Sequence, residues 1–338
     1  MSRKVLAITL ALMFILAGCG GGQSQVQSPA SPSQQVKRGE IKFADVGWDS
    51  ILFHNSVAGT VAEVVFGYTW TEVSGSTPIT HEAIMKGEID VHMETWTDNL
   101  PNYAGDLADG KLTELGTNFG DNIQGLYVPR YVIEGDSARG IEPLAPGLKT
   151  VEDLKNYPEV FKDPEDTSKG RIYGGLPGWE VDGIMYKKYQ YYGLDAMYNY
   201  MQPGSDAAMS AALVSAYDKG EPIVAYYWEP TWLMGKYDFV LLEDAPYDEA
   251  LYFDGKCACP SVNVTICVSN GFYESDPEFC EFLSKYHTTS ALTSEALAYM
   301  EQSKANYSDT AKWFLNEHPE LVDAWLTAEQ AEVLRAAL

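Results

Sequence analysis

The sequence lacks the short motifs that mark the commonest catalytic sites. It contains no Gly-x-Ser-x-Gly turn, no phosphate-binding loop ending in Gly-Lys-Ser/Thr and no Gly-x-Gly-x-x-Gly dinucleotide fingerprint. His81 and Glu82 begin like the zinc motif His-Glu-x-x-His, but Met85 occupies the position of the second histidine. These absences argue against an enzyme, and they favour a protein that binds its ligand without covalent chemistry.

Positive charge is also scarce. The chain carries 23 Lys and Arg against 48 Asp and Glu, a formal net charge of −25. A surface of this sign repels nucleic acid, and no basic patch offsets the repulsion. Nucleic acid is therefore not expected as a partner, whereas small cations are attracted.

Long apolar runs are confined to the N-terminus. Residues 1–18 are predicted to be a signal peptide, because a basic start is followed by a short apolar run and a small-residue cleavage site. A cysteine directly after Leu-Ala-Gly resembles the bacterial lipoprotein signal, which implies a diacylglycerol on Cys19. An ordinary signal peptide with a chance cysteine is the alternative. Residues 19–39 are rich in Gly, Ser, Gln and Pro and predict a lipid-anchored flexible linker.

Cysteines are few. Besides Cys19, the chain has Cys257, Cys259, Cys267 and Cys280, an even number in an exported protein. One or two disulfides are therefore expected, with the pairing left open. The Cys-x-Cys spacing is too tight for the usual zinc knuckle, so no metal site is predicted.

The periodicity of the remaining 300 or so residues predicts an α/β protein with two lobes. In the first lobe, strand and helix signals alternate. The segments are strand Ile41–Val46, a helical stretch stopped by Gly67, strand Tyr68–Val73, a helix from Thr77 to Gly87, and strand Ile89–Met93. The second lobe has helices Glu180–Tyr192 and Ser205–Lys219. We expect residues 40–125 and 232–338 to form lobe 1 and residues 126–231 to form lobe 2, with a hinge cleft between them.

Four tryptophans stand where predicted strands end. Trp48, Trp96, Trp179 and Trp228 each lie near such an end, and in three cases a glycine or a proline is within two residues. This arrangement suggests one shared site, although core packing is the simpler alternative for any single tryptophan. Several indoles suit a quaternary ammonium ion, which has no N–H to donate and is attracted to the faces of aromatic rings. A sugar site is a rival, but it would want more Asn, Gln and Arg beside the rings.

These segments carry a resemblance to a known family. The sequence resembles the glycine betaine/choline-binding lipoproteins of bacterial ABC importers over almost the whole chain after the linker. The resemblance rests on an ordered series of markers: Ala44-Asp-Val-Gly-Trp48-Asp, Gly67-Tyr68, Gly87-Glu-Ile-Asp-Val, Glu94-Thr-Trp96, Pro177-Gly-Trp179, Tyr192-Gly-Leu, Ser205-Asp-Ala-Ala-Met, Glu221-Pro-Ile-Val, Trp228-Glu-Pro-x-Trp232 and Tyr237-Asp-Phe-Val-Leu-Leu-Glu-Asp.

The resemblance implies a type II periplasmic-binding-protein-like fold and an aromatic cage. The cage residues of the betaine-binding branch match Trp96, Trp179 and Trp228. Those of the choline-binding branch match Trp48, Trp96, Tyr127 and Trp228, and the chain has both sets. It departs from many relatives in one respect, because a histidine that helps to hold the ligand carboxylate in them is replaced by Thr231.

Two further expectations concern the polar end of the ligand. Peptide N–H groups near Gly47, Trp48 and Asp49, at a helix start, could hold a carboxylate, and the Thr231 hydroxyl could donate one more bond. The Asp49 carboxylate would instead favour choline, unless it caps the helix. Glu94, Glu180 and Glu229 also flank cage residues. Alternation puts Glu94 on the face of Trp96, but each acid is expected to be a solvated neighbour.

Together these features predict an extracytoplasmic substrate-binding component of an ABC importer, anchored to the cell membrane through Cys19 and without a cofactor. Glycine betaine is the first choice of ligand, and choline, carnitine or another methylammonium compound is the alternative. A membrane permease is implied as its partner. A sensor or adhesion lipoprotein and a cleft enzyme remain as further alternatives.

Overall fold

A computed structural model describes residues 38–338. The predicted signal peptide, Cys19 and all but the last two residues of the predicted linker lie outside the described residues. Ten strands form two five-stranded sheets, ordered β2-β1-β3-β10-β4 and β7-β6-β8-β5-β9. The strands are β1 Glu40–Asp45, β2 Thr69–Ser74, β3 Val91–Trp96, β4 Thr113–Phe119, β5 Ile123–Pro129, β6 Gly170–Tyr173, β7 Tyr198–Met201, β8 Ala225–Glu229, β9 Phe239–Leu241 and β10 Val264–Val268.

Fourteen α-helices surround the sheets within residues 38–338. They are α1 Asp49–Val61, α2 Thr77–Met85, α3 Tyr103–Ala108, α4 Arg130–Glu134, α5 Glu180–Tyr191, α6 Asp206–Lys219, α7 Trp232–Lys236, α8 Glu249–Tyr252, α9 Asn270–Ser275, α10 Pro277–Lys285, α11 Ser290–Ser303, α12 Tyr307–Glu317, α13 Pro319–Trp325 and α14 Ala328–Ala337. None of the helices in this range is long and apolar enough to cross a membrane.

The first sheet confirms the predicted alternation of strands and helices. β1 pairs in parallel with β2 and β3, and α1 and α2 lie in the crossover connections that parallel pairing requires. Helix α1 continues as five π-helical residues, Ala62–Phe66, and ends at Gly67 with φ 76°, the left-handed conformation that glycine adopts without strain. All six residues of β3 are buried, because β1 and β10 flank this strand in the sheet.

The second sheet begins with the parallel strands β7, β6 and β8. Strand β5 pairs antiparallel with β8, and β9 pairs antiparallel with β5. The predicted boundary at Trp232 places Phe239–Leu241 in the first lobe. The strand instead pairs with β5, so the segment after α7 stays with the second sheet. The Phe239 ring packs on Tyr217 of α6 at a centroid distance of 5.5 Å, which holds it there. The chain returns to the first sheet with β10, between β3 and β4.

The expectation of disulfides is wrong for the four cysteines in the described range, all of which are free. They occupy separate places. Cys267 lies in β10, where the Tyr103 hydroxyl is 3.2 Å from its sulfur, and Cys280 lies in α10. Burial raises the pKa of the Cys259 and Cys280 thiols to about 12. Such cysteines act as small apolar side chains. No group of three or more His, Cys, Asp or Glu side chains between residues 38 and 338 is arranged to hold a metal ion.

Candidate ligand-binding site

Four indoles from four separate segments meet around one cavity. Trp48 precedes α1, Trp96 ends β3, Trp179 precedes α5 and Trp228 lies in β8. The Trp48 and Trp179 rings meet edge to face at 5.4 Å and 87°, and the Trp179 and Trp228 rings at 5.0 Å and 83°. The rest of the lining consists of Thr77, Asn99, Glu180, Val181 and Tyr226. We call the four tryptophans and Tyr226 the aromatic cage.

Local structure explains why these rings converge. Gly47, with φ 87°, turns the chain sharply between β1 and α1, so that Trp48 lies over the end of the first sheet. Trp96 ends β3, which lies next to β1 in the same sheet. Trp228 reaches the cavity from the second sheet, and its ring lies 6.1 Å from that of Tyr226 at an angle of 22°. The cage is therefore built jointly by the two sheets.

The indole N–H groups are held by the protein. Trp48 Nε1 donates to Glu94 Oε2 at 2.6 Å, and Trp96 Nε1 reaches the same oxygen at 3.4 Å. Trp179 Nε1 donates to the Val46 carbonyl oxygen at 3.2 Å. Since these donors are engaged, three rings are fixed in orientation before any ligand arrives.

Glu94 departs from its predicted role as a solvated neighbour. It is 0% exposed, and burial raises its pKa to about 7, against the opposing hydrogen bonds from Trp48, Ser50 and Trp96. The predicted alternation holds, because Glu94 and Trp96 lie on the same face and share a hydrogen bond. The acid thus lies directly behind two cage rings.

Polar groups lie at the margin of the cage. The Glu180 and Val181 N–H groups, in the first turn of α5, have no acceptor in the described part of the chain. Asn99 Oδ1 accepts from the Tyr252 hydroxyl at 2.5 Å and from Gln124 Nε2 at 3.5 Å, which leaves the amide nitrogen of Asn99 as a donor. These groups suit a ligand with a polar or anionic end beyond its cation.

Residues 39–317 match the family model described as the substrate binding domain of the ABC-type glycine betaine transport system. The chain belongs to this family. The family consists of transport substrate-binding proteins, and this chain is the substrate-binding component of such a transporter, as the sequence predicts.

Members of this glycine betaine transport family are similar to the chain at low identity. The glycine betaine-binding periplasmic protein OusX of Dickeya dadantii is 25% identical over 231 residues, which cover 62% of this chain and 67% of OusX. The glycine betaine/proline betaine-binding periplasmic protein of Escherichia coli is 24% identical over 308 residues, which cover 82% of this chain and 87% of the relative.

Solved structures confirm the predicted periplasmic-binding-protein-like α/β fold. An ABC-transporter choline-binding protein in complex with choline superposes with a TM-score of 0.70 at 19% identity, over 88% of this chain and 97% of the other. Lactococcal OpuAC, closed around glycine betaine, has a TM-score of 0.66 at 21% identity, over 85% of this chain and 99% of the other. At these identities the likeness establishes the fold alone.

The structure keeps four other predicted site residues out of the cage lining. The Gly47 N–H donates to Asp45 Oδ1 at 2.9 Å. The Asp49 carboxylate accepts from the Tyr307 hydroxyl at 2.7 Å and caps no helix, because the N-cap of α1 is Trp48. Its own N–H donates to the carboxyl group of Asp206. The proposed carboxylate donors around Gly47 and Asp49 are therefore in use.

Thr231 and Tyr127 are also engaged elsewhere. The Thr231 hydroxyl caps α7, where it accepts from the Met234 N–H at 3.3 Å. Tyr127 lies in β5 between Ala225 and Leu241, and its buried hydroxyl has no partner among the described residues. Neither residue borders the cavity.

Sequence reasoning missed Thr77, Asn99, Val181 and Tyr226. The signal for Tyr226 was present, since alternation along β8 puts it on the same face as Trp228. Thr77 approaches from the first lobe through a tertiary contact, in which its N–H donates to the Gly178 carbonyl at 3.1 Å. No local pattern predicts a contact of this kind.

Proposed function

We propose that the protein captures a small quaternary ammonium solute outside the cytoplasm, with glycine betaine as the first choice, and that the aromatic cage holds its trimethylammonium group. The observation that supports this proposal most directly is that four indoles converge on one cavity, with three of their N–H groups hydrogen-bonded to the protein. Rings held in this way present π-electrons rather than hydrogen-bond donors to a ligand.

The energies support the proposal. Each desolvated cation–π contact contributes about 2 kcal/mol, so three or four contribute about 6 to 8 kcal/mol. A micromolar dissociation constant corresponds to about 8 kcal/mol, and association itself has a cost. Contacts at the polar end of the ligand would have to supply the difference.

The start of α5 supports a betaine rather than choline. The free N–H groups of Glu180 and Val181 lie at a helix N-terminus, where an anion is favoured. Trp179, the residue just before them, belongs to the set that the betaine branch uses. Glycine betaine with its cation in the cage would place its carboxylate carbon two bonds from the charged nitrogen, close to this turn.

Thermal melting tests the proposal. A ligand that binds only the folded protein raises the melting temperature as its concentration rises. We expect shifts with glycine betaine and proline betaine, and smaller shifts with carnitine, choline and trimethylamine N-oxide. If no methylammonium compound shifts the transition, the cage is packing and the proposal fails.

Glu180 provides a test of ligand choice, because it is the one carboxylate that lines the cavity in the described range. The Glu180→Gln variant removes a charge that repels a betaine carboxylate and attracts choline. For a partly exposed group this is worth up to about 1 kcal/mol. We expect the ratio of betaine affinity to choline affinity to rise about fivefold, as measured by calorimetry with both ligands. An unchanged ratio would place the polar end of the ligand away from α5.

Two parts of the proposal concern the setting of the protein. Lipidation of Cys19 is supported by Leu16-Ala-Gly-Cys19, and mass spectrometry of the protein from membranes tests it through the added diacylglycerol mass. Docking on a membrane permease and the absence of catalysis are supported by the family. A bound betaine should be recovered unchanged after prolonged incubation.

A further inference from the structure

Glu94 makes an unusual set of contacts for a buried acid. One of its oxygens, Oε2, accepts from Trp48 Nε1 at 2.6 Å, from Trp96 Nε1 at 3.4 Å and from Ser50 Oγ at 3.1 Å. Two of these three donors belong to cage rings. The side chain is fully buried, so water cannot replace any of the three.

Within residues 38–338, no charged basic side chain pairs with this acid. Its nearest basic group is His54, whose Nε2 lies 3.5 Å from Glu94 Oε1, but burial lowers the pKa of His54 to about 3 and keeps the ring neutral. His92, two residues earlier on β3, also has its pKa lowered to about 3 by burial. From the end of α10, the Tyr286 hydroxyl contacts His54, and burial raises the pKa of Tyr286. These three groups, which face Glu94 from α1, β3 and the end of α10, are thus neutral near pH 7.

A buried charge without a partner is costly, and the cost is offset when an opposite charge enters nearby. The cavity beyond the two indoles is where a cationic ligand would enter. We propose that Glu94 is the counter-anion of the cage: it positions the Trp48 and Trp96 rings, and its negative charge selects a cation over a neutral molecule of the same shape. This inference rests on the proposed function.

The inference predicts a pH dependence with a definite sign. Burial raises the pKa of Glu94 to about 7, so the acid is largely ionised at pH 8 and largely protonated at pH 6. A cation favours the ionised form, so binding lowers the pKa and releases a proton. If only the ionised form binds, the dissociation constant rises about tenfold between pH 8 and pH 6.

Asp206 is the competing source of such a dependence. Burial, with a further contribution from Asp49, raises its pKa to about 7 as well. It lies at the start of α6, away from the cage lining, and accepts from the Asp49 N–H. The Asp206→Asn variant is therefore the matched control for Glu94→Gln.

The experiment compares glycine betaine with 3,3-dimethylbutanoate, in which carbon replaces the charged nitrogen at the same shape. Glu94→Gln keeps an oxygen that can accept from the indoles and removes the charge. We expect this variant to lose at least about tenfold in betaine affinity at pH 8, to lose much of the preference for betaine over the isostere, and to bind with a flat pH profile. Asp206→Asn should keep both the preference for betaine over the isostere and the pH dependence of the dissociation constant.

The outcomes separate this inference from the proposed function. The role of Glu94 is overturned if Glu94→Gln keeps both the preference for betaine over the isostere and the pH dependence of the dissociation constant. It is also overturned if that pH dependence disappears only in Asp206→Asn. In both cases the cage stands. If the wild-type protein binds no methylammonium ligand, the proposed function itself fails. Should Glu94→Gln not fold, proton release by the wild-type protein decides. Calorimetry at pH 7 in buffers of different ionisation enthalpy should show about half a proton released with betaine and none with the isostere. Equal values for the two ligands would contradict the role of Glu94.

Discussion

Replacing Trp228 by alanine is expected to lower the affinity for glycine betaine by roughly 30- to 1,000-fold, a loss of about 2 to 4 kcal/mol. The indole lies in β8 against Trp179 and Tyr226, so its removal deletes one face of the cage and loosens two others. Isothermal calorimetry measures the loss directly. Trp228→Phe should retain most of the binding, because a smaller ring still presents a π-face.

Trp313 offers a matched control. Its ring stacks on Tyr299 at 4.0 Å and 4°, where α12 meets α11, and it does not border the cavity. Trp313→Ala should lower the melting temperature while leaving the affinity within about twofold. Binding by Trp228→Ala within threefold of the wild-type value would count decisively against the cage.

The four tryptophans could be predicted to meet because they share one local signature. Each lies at or after the end of a strand, and strand ends at the same edge of a sheet lie close together, which brings Trp48 towards Trp96 in the first sheet and Trp179 towards Trp228 in the second. The fold was predictable for the same reason, since the alternation of periodicities in the first 60 described residues specifies parallel strands and crossovers. Patterns with a short range in sequence were sufficient for both.

The contacts of the polar residues were harder to predict from the sequence, because their partners are remote in the chain. Thr231 is used to cap α7, and Asp49 is bound by Tyr307, 258 residues away. Burial of Glu94 depends on α1 and the neighbouring strands closing over it. A side chain that can donate or accept has many possible partners, and only the tertiary structure chooses among them.

The predicted lobe boundary at Trp232 differs from the observed sheet pairing for a related reason. Pro230 and the capping residue Thr231 signal the end of β8 but not the direction that the chain takes next. That direction depends on β9 pairing with β5 and on a buried ion pair between Lys188 of α5 and Asp244, just after β9. The segment between β9 and β10 is thereby fastened to the second sheet.

Asp244→Ala is expected to destabilise the fold by about 3 to 5 kcal/mol, because it leaves the Lys188 ammonium group buried without its partner. The two side chains are only 3% and 6% exposed. Asp244 also accepts from the Tyr192 hydroxyl, and Lys188 donates to the Cys257 carbonyl. Differential scanning calorimetry should show the melting temperature lower by roughly 5 to 10 °C.

The neighbouring residue Glu243 is the control for this variant. It pairs with Lys149 at 3.2 Å, but these side chains are 60% and 71% exposed, so Glu243→Ala should change the stability by less than about 1 kcal/mol. Replacing both members of the buried pair, as Lys188→Met with Asp244→Leu, should recover much of the loss, because no charge is then left unpaired. If Asp244→Ala melts within 2 °C of the wild-type protein, the pair does not hold this segment. Since α5 also carries Glu180 and Val181 to the cavity, a loosened pair should weaken betaine binding as well, and less than Trp228→Ala does.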